Sequence, residues 1–117
     1  KHPKIAWVNY PGLEGDKYHD LAQKYMPKGT CGVVTFGVKG GRKAAETFMA
    51  GLKLASIATH VADAKTCVLH PASSTHRQLS EAELAAAGVS ADLIRLSVGI
   101  EDITDILADL EQALDQV

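Results

Sequence analysis

Little in this chain advertises a partner. Across 117 residues there is no basic excess, with 12 Lys and Arg against 14 Asp and Glu and a net charge of −2. Binders of nucleic acid or membrane surfaces normally carry a positive face, so neither class is favoured. Cysteine is scarce: two residues, Cys31 and Cys67, cannot build a disulfide framework and read as free thiols in a reducing cytoplasm. No apolar run approaches the roughly 20 residues that span a bilayer. Lys1-His2-Pro3 is not followed by the apolar stretch of a signal peptide. The chain opens on Lys rather than Met and reads as a piece of something longer. Internal repeats, low-complexity tracts and Pro/Ser-rich linkers are missing too.

Residues 1–117 therefore read as a single domain. Its 46% hydrophobic content is ordinary for a globular protein. A chain of this size can bury roughly two-thirds of its unfolded surface, enough for a core without metal or cross-links.

Periodicity divides the chain into short elements. Ile5-Ala6-Trp7-Val8 is an apolar run stopped by Tyr10-Pro11-Gly12. Asp16 is placed to cap a helix with Tyr18, Leu21, Ala22 and Tyr25 on one face. From Cys31 to Val38 the pattern alternates, with Val34, Phe36 and Val38 on one side. Gly40-Gly41 opens a helix carrying Ala44, Ala45, Phe48, Met49 and Leu52 on one face. Ser56–Val61 and Thr66–His70 are strand candidates. Ser80 and Glu83 have capping-box spacing for a short helix ending at Gly88. Leu93–Val98 is the clearest strand. Ile103, Ile106, Leu107, Leu110 and Leu114 form the apolar stripe of a last helix over 102–116. The order β-α-β-α-β-β-α-β-α predicts an α+β, two-layer sandwich: a mainly antiparallel sheet with helices on one face.

Arg95 is the residue that asks for a function. Alternation in Leu93–Val98 turns Ile94, Leu96 and Val98 toward the helices, leaving Arg95 mid-strand on the opposite face. A guanidinium there must be paired or wet, because a bare buried charge is costly. Two readings stay open: a local salt bridge, with Glu101 as partner, or a planar fork that binds a carboxylate or phosphate.

Other constellations are weaker. Cys67, His70 and His76 have a spacing suggestive of metal, but zinc would want a fourth ligand; they read as strand-end and loop residues. Gly37–Arg42 lacks the GxxxxGK[ST] and GxGxxG spacings and reads as a tight turn. Ser73, Ser74, Thr75 and His76 lack a nucleophile elbow. Asp63, Lys65 and Thr66 read as a polar turn. Trp7 and Tyr10 read as packing residues rather than a stacking platform.

Two longer motifs are specific. His70-Pro71-Ala72-Ser73-Ser74-Thr75-His76, with Leu93-Ile94-Arg95-Leu96-Ser97-Val98-Gly99-Ile100-Glu101-Asp102, resembles the Cys/Met-metabolism family of pyridoxal-phosphate enzymes, of fold type I. Trp7–Leu13, Thr35–Gly41 and Asp63–Thr66 resemble its O-acetylhomoserine sulfhydrylase branch. The resemblance runs over the whole chain and corresponds to the family's small C-terminal domain.

That resemblance implies a set of expectations. Arg95 matches the arginine that pairs with the substrate α-carboxylate. His60 falls where relatives carry Ser or Asn beside that carboxylate. Here the triplet reads His60-Val61-Ala62 in place of a pattern ending in Gly, a departure that counts against a side-chain contact there and leaves room for a backbone one. Thr75 lies in the loop near the site entrance. The Schiff-base lysine, the ring-stacking aromatic and the phosphate-binding residues belong to the large domain. No catalytic, cofactor-binding or metal-binding residue is thus expected here, and the chain alone is expected to be inactive. The whole enzyme would use pyridoxal 5'-phosphate to make homocysteine, or methionine, from O-acetylhomoserine and sulfide or a thiol. It would be a cytoplasmic homo-oligomer, a tetramer, whose large domain packs on the Arg95 face of this one. The alternatives are the same domain of a cystathionine γ-synthase or methionine γ-lyase, or a stand-alone amino-acid-binding module. The isolated domain, with that sheet face uncovered, is expected to self-associate weakly.

Overall fold

The computed structural model describes residues 2–117; Lys1 lies outside the described residues. Five strands form one sheet: β1 (Ile5–Asn9), β2 (Val33–Val38), β3 (Ser56–Ile57), β4 (Cys67–Leu69) and β5 (Leu93–Ser97), in the order β1-β2-β5-β4-β3. Four α-helices follow β1, β2, β4 and β5 in turn: α1 (His19–Tyr25), α2 (Gly41–Gly51), α3 (Glu81–Ala86) and α4 (Ile103–Leu114), with a 3-10 turn at Pro71–Ser73 before α3. The expected element order is the one observed.

The core lies between the sheet and the α2/α4 layer. Phe36 and Val38 of β2, Val68 of β4, and Ile94 and Leu96 of β5 face Ala44, Ala45, Phe48 and Met49 of α2 and Ala113 and Leu114 of α4. Phe36 and Phe48 meet edge to face with centroids 5.7 Å apart. Strand alternation dictates this: Val34, Phe36 and Val38 share a face, and Phe36 is opposite Ile94 in the β2–β5 ladder.

Two side-chain contacts fasten segments that are distant in sequence. Asp109 of α4 is buried, and its carboxylate accepts the backbone N–H groups of Lys53, Leu54 and Ala55 at 2.8–3.0 Å. The segment leaving α2 is thereby fastened to α4. Burial opposes ionisation of Asp109, but these bonds and one from Gln112 outweigh it and hold the carboxyl below its usual range. On the other sheet face, Trp7 Nε1 donates to Asp92 Oδ2 at 3.0 Å. A Cβ on Gly37 would collide with both side chains, so glycine is what lets Trp7 lie across β2.

The structure corrects four expectations. Asp16 does not cap α1: its carboxylate accepts from Tyr10 and Tyr18 N–H, closing the turn three residues before the helix begins. Of the α1 stripe only Ala22 is buried, while Tyr18, Leu21 and Tyr25 are exposed. Ile103 and Leu107 of the α4 stripe are likewise exposed, because α4 presses its Ile106-Ala113-Leu114 side inward. The strand expected at Ser56–Val61 stops at Ile57 and runs parallel to β4, the one parallel pairing in the sheet. Consecutive parallel strands require a link that runs back along them. Residues 58–66 are that link, and they cannot continue β3. The capping box is present as expected, with Ser80 Oγ accepting from Glu83 N–H and Glu83 Oε2 accepting from Ser80 N–H.

Candidate functional site

The site is built where the 58–66 link crosses β5. Arg95 leaves β5 on the face away from α2 and α4, as alternation requires. Its Nη2 donates to the Thr59 carbonyl at 2.7 Å. Its Nε is shielded from solvent and has no acceptor. A buried donor left unpaired costs about 1–3 kcal/mol, so this guanidinium is set up for an acceptor the chain does not supply.

The salt-bridge reading of Arg95 is resolved by where Glu101 goes. Its carboxylate accepts from Thr66 N–H at 2.7 Å and from Thr66 Oγ1 at 2.8 Å. These bonds hold its pKa below the ordinary value, with the Thr66 N–H bond the leading cause. Gly99 N–H donates to Thr66 Oγ1, and Ile100 N–H to the Ala64 carbonyl. A Cβ on Gly99 would strike Glu101 and the Ala64–Lys65 backbone, which is why glycine stands there. Among the described residues the sole ion pair is His2–Asp115, so Arg95 has no carboxylate partner.

The other expected site residues divide. His60 is exposed and follows Thr59, the residue that holds Arg95, so the link carries it to the guanidinium's neighbourhood. Thr75 is exposed, and its hydroxyl meets His76 Nδ1 at 2.8 Å rather than Arg95. The polar turn expected at Asp63–Thr66 is present, with Asp63 Oδ1 accepting from Lys65 N–H.

His70 is 2% exposed, and its two ring nitrogens engage Ser73 Oγ and the Ala91 carbonyl, each at 2.8 Å. That ring braces the turn after β4 against the entry to β5. No group of three or more His, Cys, Asp or Glu among the described residues is arranged to hold a metal. Gly40 and Gly41 adopt positive φ at the start of α2, as a tight turn needs. A cavity of about 650 Å³ lies between β1, β2 and α4, and its lining includes none of Arg95, His60 or Thr75.

An aldehyde cofactor held as an imine needs a lysine desolvated enough to lose its proton. Every described lysine is exposed. None of the described lysines is thus desolvated in this chain for such an imine. What the site offers is a cation oriented by Thr59, with one buried donor left unpaired.

Comparison with known proteins shows what the chain is similar to. The sequence pattern of the Cys/Met metabolism PLP-dependent enzymes matches residues 1–115. An O-acetyl-L-homoserine sulfhydrylase of Leptospira meyeri is 51% identical over 118 residues, covering 100% of this chain and 27% of the relative. An L-methionine gamma-lyase of Fusobacterium nucleatum subsp. polymorphum is 46% identical over 117 residues, covering 100% of this chain and 29% of the relative. A crystal structure described as an O-acetylhomoserine (thiol)-lyase of Campylobacter jejuni superposes with a TM-score of 0.90 at 41% identity. It covers 98% of this chain and 27% of that one, and it carries a pyridoxyl-lysine. The chain thus spans little more than a quarter of the length of these relatives.

Proposed function

The chain belongs to the Cys/Met-metabolism family of PLP-dependent enzymes, and from that premise we propose that it is the substrate-carboxylate-binding domain of an O-acetylhomoserine sulfhydrylase. Arg95 carries the reading. It is a mid-strand guanidinium, oriented by the Thr59 carbonyl, with a buried Nε–H that has no acceptor in the chain. An α-carboxylate supplies that acceptor and the opposite charge together, and charge-assisted pairs of this kind are the strong ones.

Arg95 then does two things. It anchors the amino acid by the end that does not react, and it fixes the direction in which the Cα substituents point. Binding energy from a non-reacting group is thereby spent on orienting the reacting one. His60 lies beside the carboxylate, and Thr75 borders the entrance. The cofactor, its lysine and the proton transfers belong to the rest of the whole protein. The products are homocysteine from sulfide, or methionine when the donor is methanethiol. The whole enzyme is a cytoplasmic homo-oligomer, a tetramer, with its larger domain against the Arg95 face. No helix among the described residues is long and apolar enough to cross a membrane.

The test is an assay of the whole protein beside this chain alone, with pyridoxal phosphate, O-acetyl-L-homoserine and sulfide. Homocysteine from the whole protein and none from the chain is the expected result. A whole protein that instead releases ammonia and a 2-oxo acid from methionine is a γ-lyase. Homocysteine made by the short chain would overturn the division of labour.

A further inference from the structure

We infer that Ser97 is a positioning residue for the Arg95 site. It acts through the backbone of the 58–66 link. The inference rests on the carboxylate-binding reading of Arg95 and extends it to a residue that touches neither substrate nor guanidinium.

Ser97 lies two residues after Arg95 on β5, so alternation puts both side chains on the same face. It is 2% exposed. Its Oγ accepts the Ala62 N–H at 3.1 Å. Ala62 is the one non-glycine among the described residues with positive φ, at 56°. That conformation costs an L-residue about 1–2 kcal/mol, so something must hold it. Three residues earlier, Thr59 supplies the carbonyl that orients Arg95.

The rest of the link is fixed elsewhere. Ala58 N–H donates to the Val68 carbonyl, and Ile100 N–H and Glu101 clamp the Ala64–Thr66 end. Between those anchors, Ser97 and Arg95 are the β5 side chains that grip the link, one accepting and one donating. Without the Ser97 hydroxyl, Ala62 relaxes to negative φ and turns its N–H away. The Thr59 carbonyl then shifts with the chain. Arg95 keeps its charge and loses its aim.

The experiment uses the whole enzyme and three variants: Ser97→Ala, the double variant Ser97→Ala with Ala62→Gly, and Arg95→Ala. KM and kcat are measured for O-acetyl-L-homoserine. Dissociation constants are measured by calorimetry for L-norvaline, an amino acid of matching backbone with no leaving group. Ser97→Ala is expected to raise KM and the norvaline constant about tenfold, the size of one hydrogen bond, with a smaller change in kcat. Glycine adopts positive φ without strain, so the double variant is expected to recover most of the loss. A merely structural serine would not be rescued by a glycine on another segment.

Unchanged constants in Ser97→Ala, beside a strong loss in Arg95→Ala, overturn the inference and leave the carboxylate reading standing. A loss that Ala62→Gly does not recover also overturns it. Unchanged constants in Arg95→Ala overturn both. Should Ser97→Ala fold poorly, Ser97→Cys keeps the side-chain shape with a poor acceptor and is expected to show the same rise.

Discussion

Arg95 Nη2 donates to the Thr59 carbonyl at 2.7 Å while the same guanidinium's Nε–H has no acceptor. One bond orients the fork, and the unpaired Nε–H leaves it short of an acceptor. Arg95→Lys therefore tests shape separately from charge. Lysine keeps the cation but offers a single point of contact in place of a planar pair. The expected result is a KM for the amino-acid substrate raised tenfold or more, with the fold intact by circular dichroism.

Asp109 predicts the acid limb of stability. Its folded-state pKa lies below the ordinary carboxylate value of 3.8. A depressed carboxylate pKa means that the unfolded chain binds the proton more readily. The stabilisation is thus fully present above about pH 4 and is lost as pH falls through the lower folded value. Asp109→Asn replaces the charged acceptor facing the Lys53, Leu54 and Ala55 N–H groups. It is expected to cost about 2–3 kcal/mol at pH 7 and to flatten the fall in stability below pH 4. Urea unfolding at several pH values measures both.

Gly37 predicts a local packing failure that one chromophore reports. Trp7 is the sole tryptophan, and a Cβ at position 37 would push it off Asp92. Gly37→Ala is expected to lower stability by about 1–3 kcal/mol, as overpacking does, and to shift Trp7 emission to the red as the indole is wetted. Unchanged emission would mean that the indole does not rest on Gly37.

Much of this was legible in the sequence because the signals were periodic. The two-residue repeat of Leu93–Val98 separates Arg95 from Ile94 and Leu96 without any structure, and Ser80 with Glu83 marks a helix start by spacing alone. The misreadings arose where tertiary contacts decide. Asp16 satisfies the rule for a helix cap but is taken by Tyr10 N–H, six residues earlier in the chain. Ser56–Val61 looks strand-like throughout, yet a parallel partner forces the chain to turn back after Ile57. Glu101 is close enough in sequence to suggest a pair with Arg95, but Thr66, 35 residues away in sequence, claims both its oxygens. Ser97 could not be singled out, because a hydroxyl on the outer sheet face reads the same whether wet or covered. Its signal is the positive φ at Ala62, which no residue type announces.

Whether Arg95 receives the substrate's α-carboxylate is decided by a double cycle in the whole enzyme. The wild type and Arg95→Ala are each assayed with O-acetyl-L-homoserine and with its α-carboxamide, which removes the negative charge. The wild type is expected to lose roughly a hundredfold or more in kcat/KM on the amide, as does Arg95→Ala on the acid, each loss equivalent to a bidentate charged pair. The two changes together are expected to cost little more than either alone. Losses that simply multiply, or an Arg95→Ala variant with unaltered KM for the acid, would place the carboxylate somewhere other than Arg95.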